Sequence, residues 1–511
     1  MRLCGWMALL RTSIVWTVTA AAFVPAMAQK SADTLRFGLG GALDVIDPYY
    51  TGDREVTMVV GEMVFDTLIY RDPVSFEHKP LLARAWRWLD DVTLELDLRP
   101  GVTWQDGVPF TADDVAYTFN YITSPANKVW RAQWASWIKS TEVVDPLKVR
   151  LHLQAPFGPA LEYLAQVLPI LPKDFYGPGG VAGGNGRLVG TGPYRITSFQ
   201  QGKGATFDRN PNYIEDGPKG SPTIAHMMFR NIPDQSTQVA ELMAGGLDWI
   251  WRVPSDQLAH LAASPGVAVA TGGTMRIFWL GFDAQKGPFQ DARVRQAVAR
   301  AVDRQTLAQE IMGPGTRVLD VPCYPTQLGC IDARSVPHIA FDPAGAKALL
   351  KEANLPNGFS TIMVIYDQGP NRTLAEAVQG YLQEVGIKVQ LNVTTIKAFF
   401  DAVKDGNVPL KLESYGQYNI NDVAIILPEY LGGGSLDSIK DPALAQLFAQ
   451  AAGTSDAARR KAAYEQADRI ILEKTYWVPL FIQNVNFAFN KDLDFKPWPD
   501  EDPRFYMTRW K

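Results

Sequence analysis

Between Asp342 and Tyr418 short apolar runs alternate with amphipathic segments, in an order that few folds accommodate. Asp342-Pro343 starts a helix expected to end near Asn354. Thr361 to Tyr366 reads as a strand. Thr373-Leu374-Ala375-Glu376 has the form of a capping box and opens a helix with Leu374, Val378 and Leu382 on one face. Gly386 stops that helix, and Ile387 to Val393 is the next strand. A short helix from Ala398 to Lys404 leads to a third strand, Leu410 to Glu413. The order β-α-β-α-β implies parallel strands covered by helices, an α/β architecture. Ligands of such sheets sit beyond the carboxyl ends of the strands. That rule puts Asp367-Gln368-Gly369, Thr394-Thr395 and Tyr415 through Asn421 on one rim.

The earlier part of the chain reads differently. Leu35 to Leu39 is a strand that runs into a Gly-rich turn and Asp47-Pro48-Tyr49-Tyr50, followed by a helical segment from about Glu55 to Phe65. Leu94 to Leu98 and Val149 to Leu153 alternate apolar and polar residues, as half-buried strands do. Thr111, with Asp114 three residues on, caps a helix whose buried stripe is Val115, Phe119 and Ile122. Pro172 to Gly192 is rich in Gly and Pro and reads as a surface connection.

The first 28 residues have the make-up of a secretory leader. Arg2 and Arg11 precede an apolar stretch from Ile14 to Val24, and Ala26-Met27-Ala28 offers a small-residue cleavage site. The expected product works outside the cytoplasm. Loss of a leader with two arginines and no acids takes the formal charge from -5 to -7. A mildly acidic body of about 480 residues, enough for two or three domains, gives no reason to expect nucleic acid as a partner. The cysteines left are Cys323 and Cys330, on either side of a Pro- and Gly-containing turn. In an oxidising compartment they are expected to form a structural disulfide; the other reading is two free thiols.

No catalytic signature stands out. His78, His152, His226, His260 and His338 are scattered without metal-ligand spacing. Gly432-Gly433-Gly434-Ser435 does not match a nucleophile elbow, and the glycines from Gly177 to Gly192 match no phosphate-binding loop. No catalytic residue, metal or cofactor is therefore expected. A secreted hydrolase is the opposing class.

Several blocks, in order along nearly the whole expected mature chain, resemble the periplasmic solute-binding proteins of peptide, nickel and opine ABC importers, extracellular family 5. They are Pro80 to Trp86, Leu98 to Gly107, Pro109 to Val115, Gly190-Thr191-Gly192-Pro193-Tyr194, Arg209 to Tyr213, Asp291 to Ala297 with Val302-Asp303-Arg304, and Asp342 to Leu350. The resemblance implies two lobes joined by two crossover strands, closing on a small solute that an inner-membrane ABC permease then takes, with the protein a monomer. Lobe 1 would comprise residues 30–272 and 478–511, with a β-rich subdomain at about 55–185. Lobe 2 would comprise 273–477. The crossovers would lie near Met275 to Trp279 and near Pro479-Leu480-Phe481.

Peptide binders of this family hold the ligand's amino terminus with an aspartate in a G-W-x-x-D context. In the matching stretch here, Tyr415 takes the Trp position and Tyr418 the Asp position. This departure leaves open a peptide, an opine-like compound, an oligosaccharide or a metal chelate. The candidate contacts on the rim are Asp367, Tyr415, Gln417, Tyr418 and Asn419. Tyr49 and Tyr50 follow the first strand, Trp249 and Trp251 follow a family-like Gly246-Leu247-Asp248, and Arg276, Phe278 and Trp279 lie at the crossover. Arg276 suits a solute carboxylate.

Overall fold

The computed structural model describes residues 33–41, 45–50, 56–173, 175–176, 188–416 and 419–511, so the stretch read as a leader lies outside the described residues. Two unusually long strands organise the chain: Val267–Phe282, of 16 residues, and Trp477–Asn490, of 14. They pair antiparallel, and the register breaks between Gly273 and Ile277. Val267 to Gly273 pairs with Asn484 to Asn490, and Ile277 to Gly281 with Trp477 to Ile482.

Each side of the break carries its own set of neighbours. Trp477–Asn490 pairs onward with Trp249–Trp251, followed by Thr34–Leu39, His226–Asn231, Gly204–Arg209 and Tyr194–Gln200. Val267–Phe282 pairs onward with Leu410–Tyr415, followed by Phe359–Tyr366 and Ile387–Thr394. These last three run parallel to one another, as the β-α-β-α-β pattern requires. The fold is thus α/β and two-lobed, with one continuous sheet shared between the halves. Among the described residues no helix is long and apolar enough to cross a membrane.

A separate antiparallel sheet in the first half orders its strands Ala83–Asp90, Thr93–Leu98, Lys148–Leu153 and Ile138–Asp145. Helix Ala112–Thr123 covers it with Val115, Phe119 and Ile122, all fully buried, and the reciprocal Thr111–Asp114 cap is present.

Two readings of the sequence need correction. The helix after Tyr366 is Asn371–Glu384, so Thr373 and Glu376 lie inside it. It starts earlier because the buried Asn371 side chain donates to the Tyr366 carbonyl at 3.1 Å, which secures the turn upstream of the apparent cap. The stretch from Pro172 to Gly192 is not simply surface: Phe175, Tyr176 and Gly190 to Gly192 are buried. Gly190 and Gly192 lie against the backbone of Met63 and Val64, and Gly192 N donates to Val64 O at 2.9 Å.

Cys323 and Cys330 form a disulfide with their Cα atoms 5.6 Å apart. Asp468 lies beside it. Because the sulfurs are bonded to each other, the group offers no thiolate to a metal. Asp468 is wholly buried, and burial pushes its carboxyl up to about 8 although it accepts from Ile331 N at 2.9 Å.

Two outcomes are expected. A Cβ at Gly190 would fall 1.8 Å from the Val64 carbonyl oxygen, so Gly190→Ala should cost about 1–3 kcal/mol in denaturant unfolding; wild-type stability would show that this approach is not tight. The fold favours protonated Asp468, whose contribution is full below the ordinary carboxylate range and is lost progressively as pH rises towards about 8. Asp468→Asn, neutral at every pH, should flatten the profile of Tm against pH across that window. An unchanged profile would show that this carboxyl does not titrate there.

Candidate functional site

The break in the long strands opens into a cavity of about 430 Å3 lined from both halves of the sheet. Arg252, Ser255, Asn486 and Glu501 come from one side, and Arg276, Phe278, Gln368, Asn371 and Ser414 from the other. A larger cavity of about 520 Å3, beside Arg300, His338, Arg469 and Trp477, is lined by the second half alone. That cavity draws on one half alone, so the cavity between the halves is the candidate site.

Arg276 stands on the irregular stretch of Val267–Phe282. Its Nη1 donates to Ser414 Oγ at 3.1 Å. The guanidinium lies over Gly416, where a Cβ would come within 3.0 Å of Nη2. Arg252 follows Trp249–Trp251 directly, in left-handed backbone (φ 58°), with its guanidinium 4.8 Å from the Trp251 ring centroid. Asn486 is pinned: its Nδ2 donates to Val253 O at 3.0 Å and its Oδ1 accepts from Thr271 at 2.9 Å. Asn484 Nδ2 donates to Pro314 O at 3.2 Å.

Behind the cavity lies a buried ion cluster. Arg71, fully buried, donates to Glu162 at 3.0 Å, to Asp500 at 2.8 Å and to the Asn419 carbonyl. Arg504 donates to both oxygens of Asp500 at 2.7 Å. Asn421 N donates to Glu162 at 2.9 Å, and Asn419 Nδ2 to the Asp500 carbonyl at 2.8 Å. The cluster therefore ties the first half, the loop after Leu410–Tyr415 and the C-terminal segment together. Burial raises the Asp500 and Glu162 carboxyls, but their cationic partners outweigh it and hold both below the usual range: Arg504 then Arg71 for Asp500, and Arg71 then His78 for Glu162.

The sequence candidates divide. Arg276 and Phe278 line the cavity. Asp367 is exposed and paired with Arg372 at 2.9 Å, while the next residues, Gln368 and Gly369, reach the cavity. Tyr415 is half-buried against Tyr430, and Asn419 belongs to the ion cluster. Gln417 and Tyr418 lie outside the described residues. Trp249, packed among Phe487, Phe495 and Phe505, is core, as is Trp251 against Phe487. Trp279 is stacked on Trp477 at 4.4 Å in the core of the second half. Tyr49 is buried and bonded to Pro169 O, and Tyr50 donates to Asn127 O at 2.7 Å. Asp422, the nearest acid in the loop, is given over to Arg460 at 2.7 and 2.8 Å.

Sequence reasoning passed over Arg252, Ser414, Asn484, Asn486 and Glu501. One signal was present. Gln483, Asn484 and Asn486 interrupt an otherwise apolar run from Trp477 to Phe489. Polar residues in the middle of a buried strand call for partners.

A sheet shared by two halves, with a polar cavity at their junction, defines a binding protein that encloses its solute. The comparisons with known proteins agree. The family described as "Bacterial extracellular solute-binding proteins, family 5 Middle" matches residues 77–435, and the chain belongs to it. It is similar to the glutathione-binding protein GsiB of Salmonella paratyphi A, 27% identical over 504 residues and 93% of each chain. In fold it is similar to HbpA2 of Haemophilus parasuis (TM-score 0.82, 24% identity, 94% of this chain and 100% of that one). It is also similar to NikA of Brucella suis in complex with Fe(III)-EDTA (TM-score 0.81, 21% identity, 94% and 100%).

Removing the Arg71 side chain would leave Glu162 and Asp500 short of a counter-charge. Arg71→Ala should cost about 3–5 kcal/mol near neutral pH. Both carboxyls are depressed in the fold, so the stability they contribute is present above the ordinary carboxylate range and lost as pH falls through it. The penalty should shrink on acidification. A pH-independent penalty in unfolding titrations would show that packing, not charge, is lost.

Proposed function

We propose that this chain is the periplasmic substrate-binding component of an ABC importer, exported by cleavage after Ala28, and that its solute is a small peptide-like compound with at least two carboxylates. The observation that carries the reading is the guanidinium of Arg276, seated on Ser414 and Gly416 in the cavity between the halves. Arg252 is its counterpart. Val253 N donates to Asn486 O, and Arg276 falls opposite Gln483, between the Gly273–Asn484 and Ile277–Ile482 pairs. The two arginines thus lie on opposite flanks of Trp477–Asn490, three residues apart along it and two strand spacings across it, about 14 Å between backbones. Guanidinium groups pair carboxylates with two parallel hydrogen bonds, and the Asn, Gln and Ser side chains between them suit amides.

GsiB is named for binding glutathione, a carboxylate-bearing peptide, which supports the same reading. The NikA complex contains a polycarboxylate chelate, to which paired arginines are also suited. Binding is reversible, without catalysis. Lobes 30–272 with 478–511 and 273–477 close by bending at Gly273 to Ile277 and at 482–484, and the closed form is what a permease meets.

The test is a calorimetric and thermal-shift screen of the purified protein against glutathione, its disulfide, dipeptides, opine-like conjugates, oligosaccharides and metal–polycarboxylate chelates. Glutathione or a small peptide should stabilise the protein, and Arg276→Ala should weaken that binding by about tenfold or more, with Tm little changed. Response to a chelate alone would move the solute class. Response to sugars alone would overturn the reading.

A further inference from the structure

The disulfide of the second half has an acid against it. Asp468 stands within helix Ala457–Glu473, wholly buried, with Oδ2 3.5 Å from Cys323 Sγ. Its bond from Ile331 N is a single backbone contact, which the neutral side chain of an asparagine would accept without the cost of burying an acid. Its other oxygen, Oδ1, is buried with no hydrogen-bond partner among the described residues. The charged groups that act on it, Glu465 and Arg469, stand on its own helix and oppose each other. The loop packed against it presents the two sulfurs and the Ile331 N–H. A sulfur already bonded to sulfur has no proton to give, so a hydrogen bond across this contact requires the proton to be on Asp468. Burial keeps it there at neutral pH by holding the carboxyl up at about 8. The two sulfurs are not equivalent. Cys330 is 8% exposed, whereas Cys323 is sealed at 0%. A thiolate from solution meets Cys330 first, and the sulfur that then leaves is Cys323, the one that Asp468 touches.

We propose that Cys323–Cys330 is a thiol-exchange site, in which a small thiolate attacks Cys330 Sγ and Asp468 donates a proton to the departing Cys323 Sγ. One sulfur–sulfur bond forms as the other breaks. The thiolate becomes a mixed disulfide on Cys330, Cys323 becomes a thiol and Asp468 becomes a carboxylate. No electrons are gained or lost overall, so the thiol is the only co-reactant. In the reverse step the carboxylate takes the proton back, and Cys323 expels the thiol from Cys330. Exchange runs faster the better the leaving group. A bare thiolate sealed from water is a costly one, and the adjacent acid removes that cost. None of the three residues lines the cavity between the halves, and the inference does not depend on which solute that cavity takes.

The probe is 2-mercaptoethanol, applied to the folded, oxidised protein between about pH 6 and pH 9. Opening of the disulfide is followed by mass spectrometry, and each rate is divided by the thiolate concentration. Wild type should open with the adduct on Cys330. Its rate per thiolate should be level near neutral pH and fall above about pH 8, where Asp468 has lost its proton. Asp468→Asn should open at least about tenfold more slowly near neutral pH, with a level profile. In urea the acid is no longer held beside the sulfur, so the two proteins should open at equal rates. If the Asn variant does not fold, the wild-type profile decides alone. A folded protein that resists the thiol, an adduct on Cys323 or a rate per thiolate that stays level above pH 8 overturns the proposal. An Asn variant that opens as fast as wild type overturns it too, as does a difference that persists in urea.

Discussion

The antiparallel ladder between Val267–Phe282 and Trp477–Asn490 is the constraint on which the rest of the molecule depends. Each strand serves both halves of the sheet, so the halves are joined by backbone hydrogen bonds through their cores and not by a linker. The wider of the ladder's two irregularities, Gly273 to Ile277, is also where side chains can turn into a space between the halves. The junction of the halves and the cavity beside it are therefore consequences of the same interruption. Arg276 is at the cavity because the strand that carries it departs from regular pairing there.

A second level of order is electrostatic. Arg71, Arg504, Asp500 and Glu162 are nearly or fully buried. Isolated charges at such depth would be prohibitive, and their mutual pairing is what makes the arrangement tolerable. Its yield is positional. It fixes the loop at Asn419 to Asn421 and the C-terminal segment at Asp500 to Arg504 against each other.

The parts of the fold that were legible in the sequence are those whose signals are local. The parallel strands at Phe359–Tyr366, Ile387–Thr394 and Leu410–Tyr415 announce themselves by periodicity and caps, as does the helix behind Thr111. The start of Asn371–Glu384 was misread for an equally local reason, because the bond from Asn371 to Tyr366 leaves no pattern in the sequence. The site was less legible. Aromatic residues serve cores and pockets alike, and Trp249, Trp251 and Trp279 turned out to be core. Glu501 was passed over, because its place at the cavity depends on the anchoring of Asp500 by Arg71, far away in the chain. Arg276, one of the candidate contacts at the crossover, does line the cavity.

The placement of Trp477–Asn490 in the middle of the sheet bears on how the protein matures. Trp249 packs against Phe487, Phe495 and Phe505, so the first half's core stays open on one side until the last residues of the chain arrive. Glu501 and the anchors of its segment come from the same late stretch. The four-stranded subdomain draws its pairings from residues close in sequence, whereas the cleft needs Trp477–Asn490 and the segment after it. Ligand competence is thus bound to the packing of residues 477–505 onto everything that precedes them.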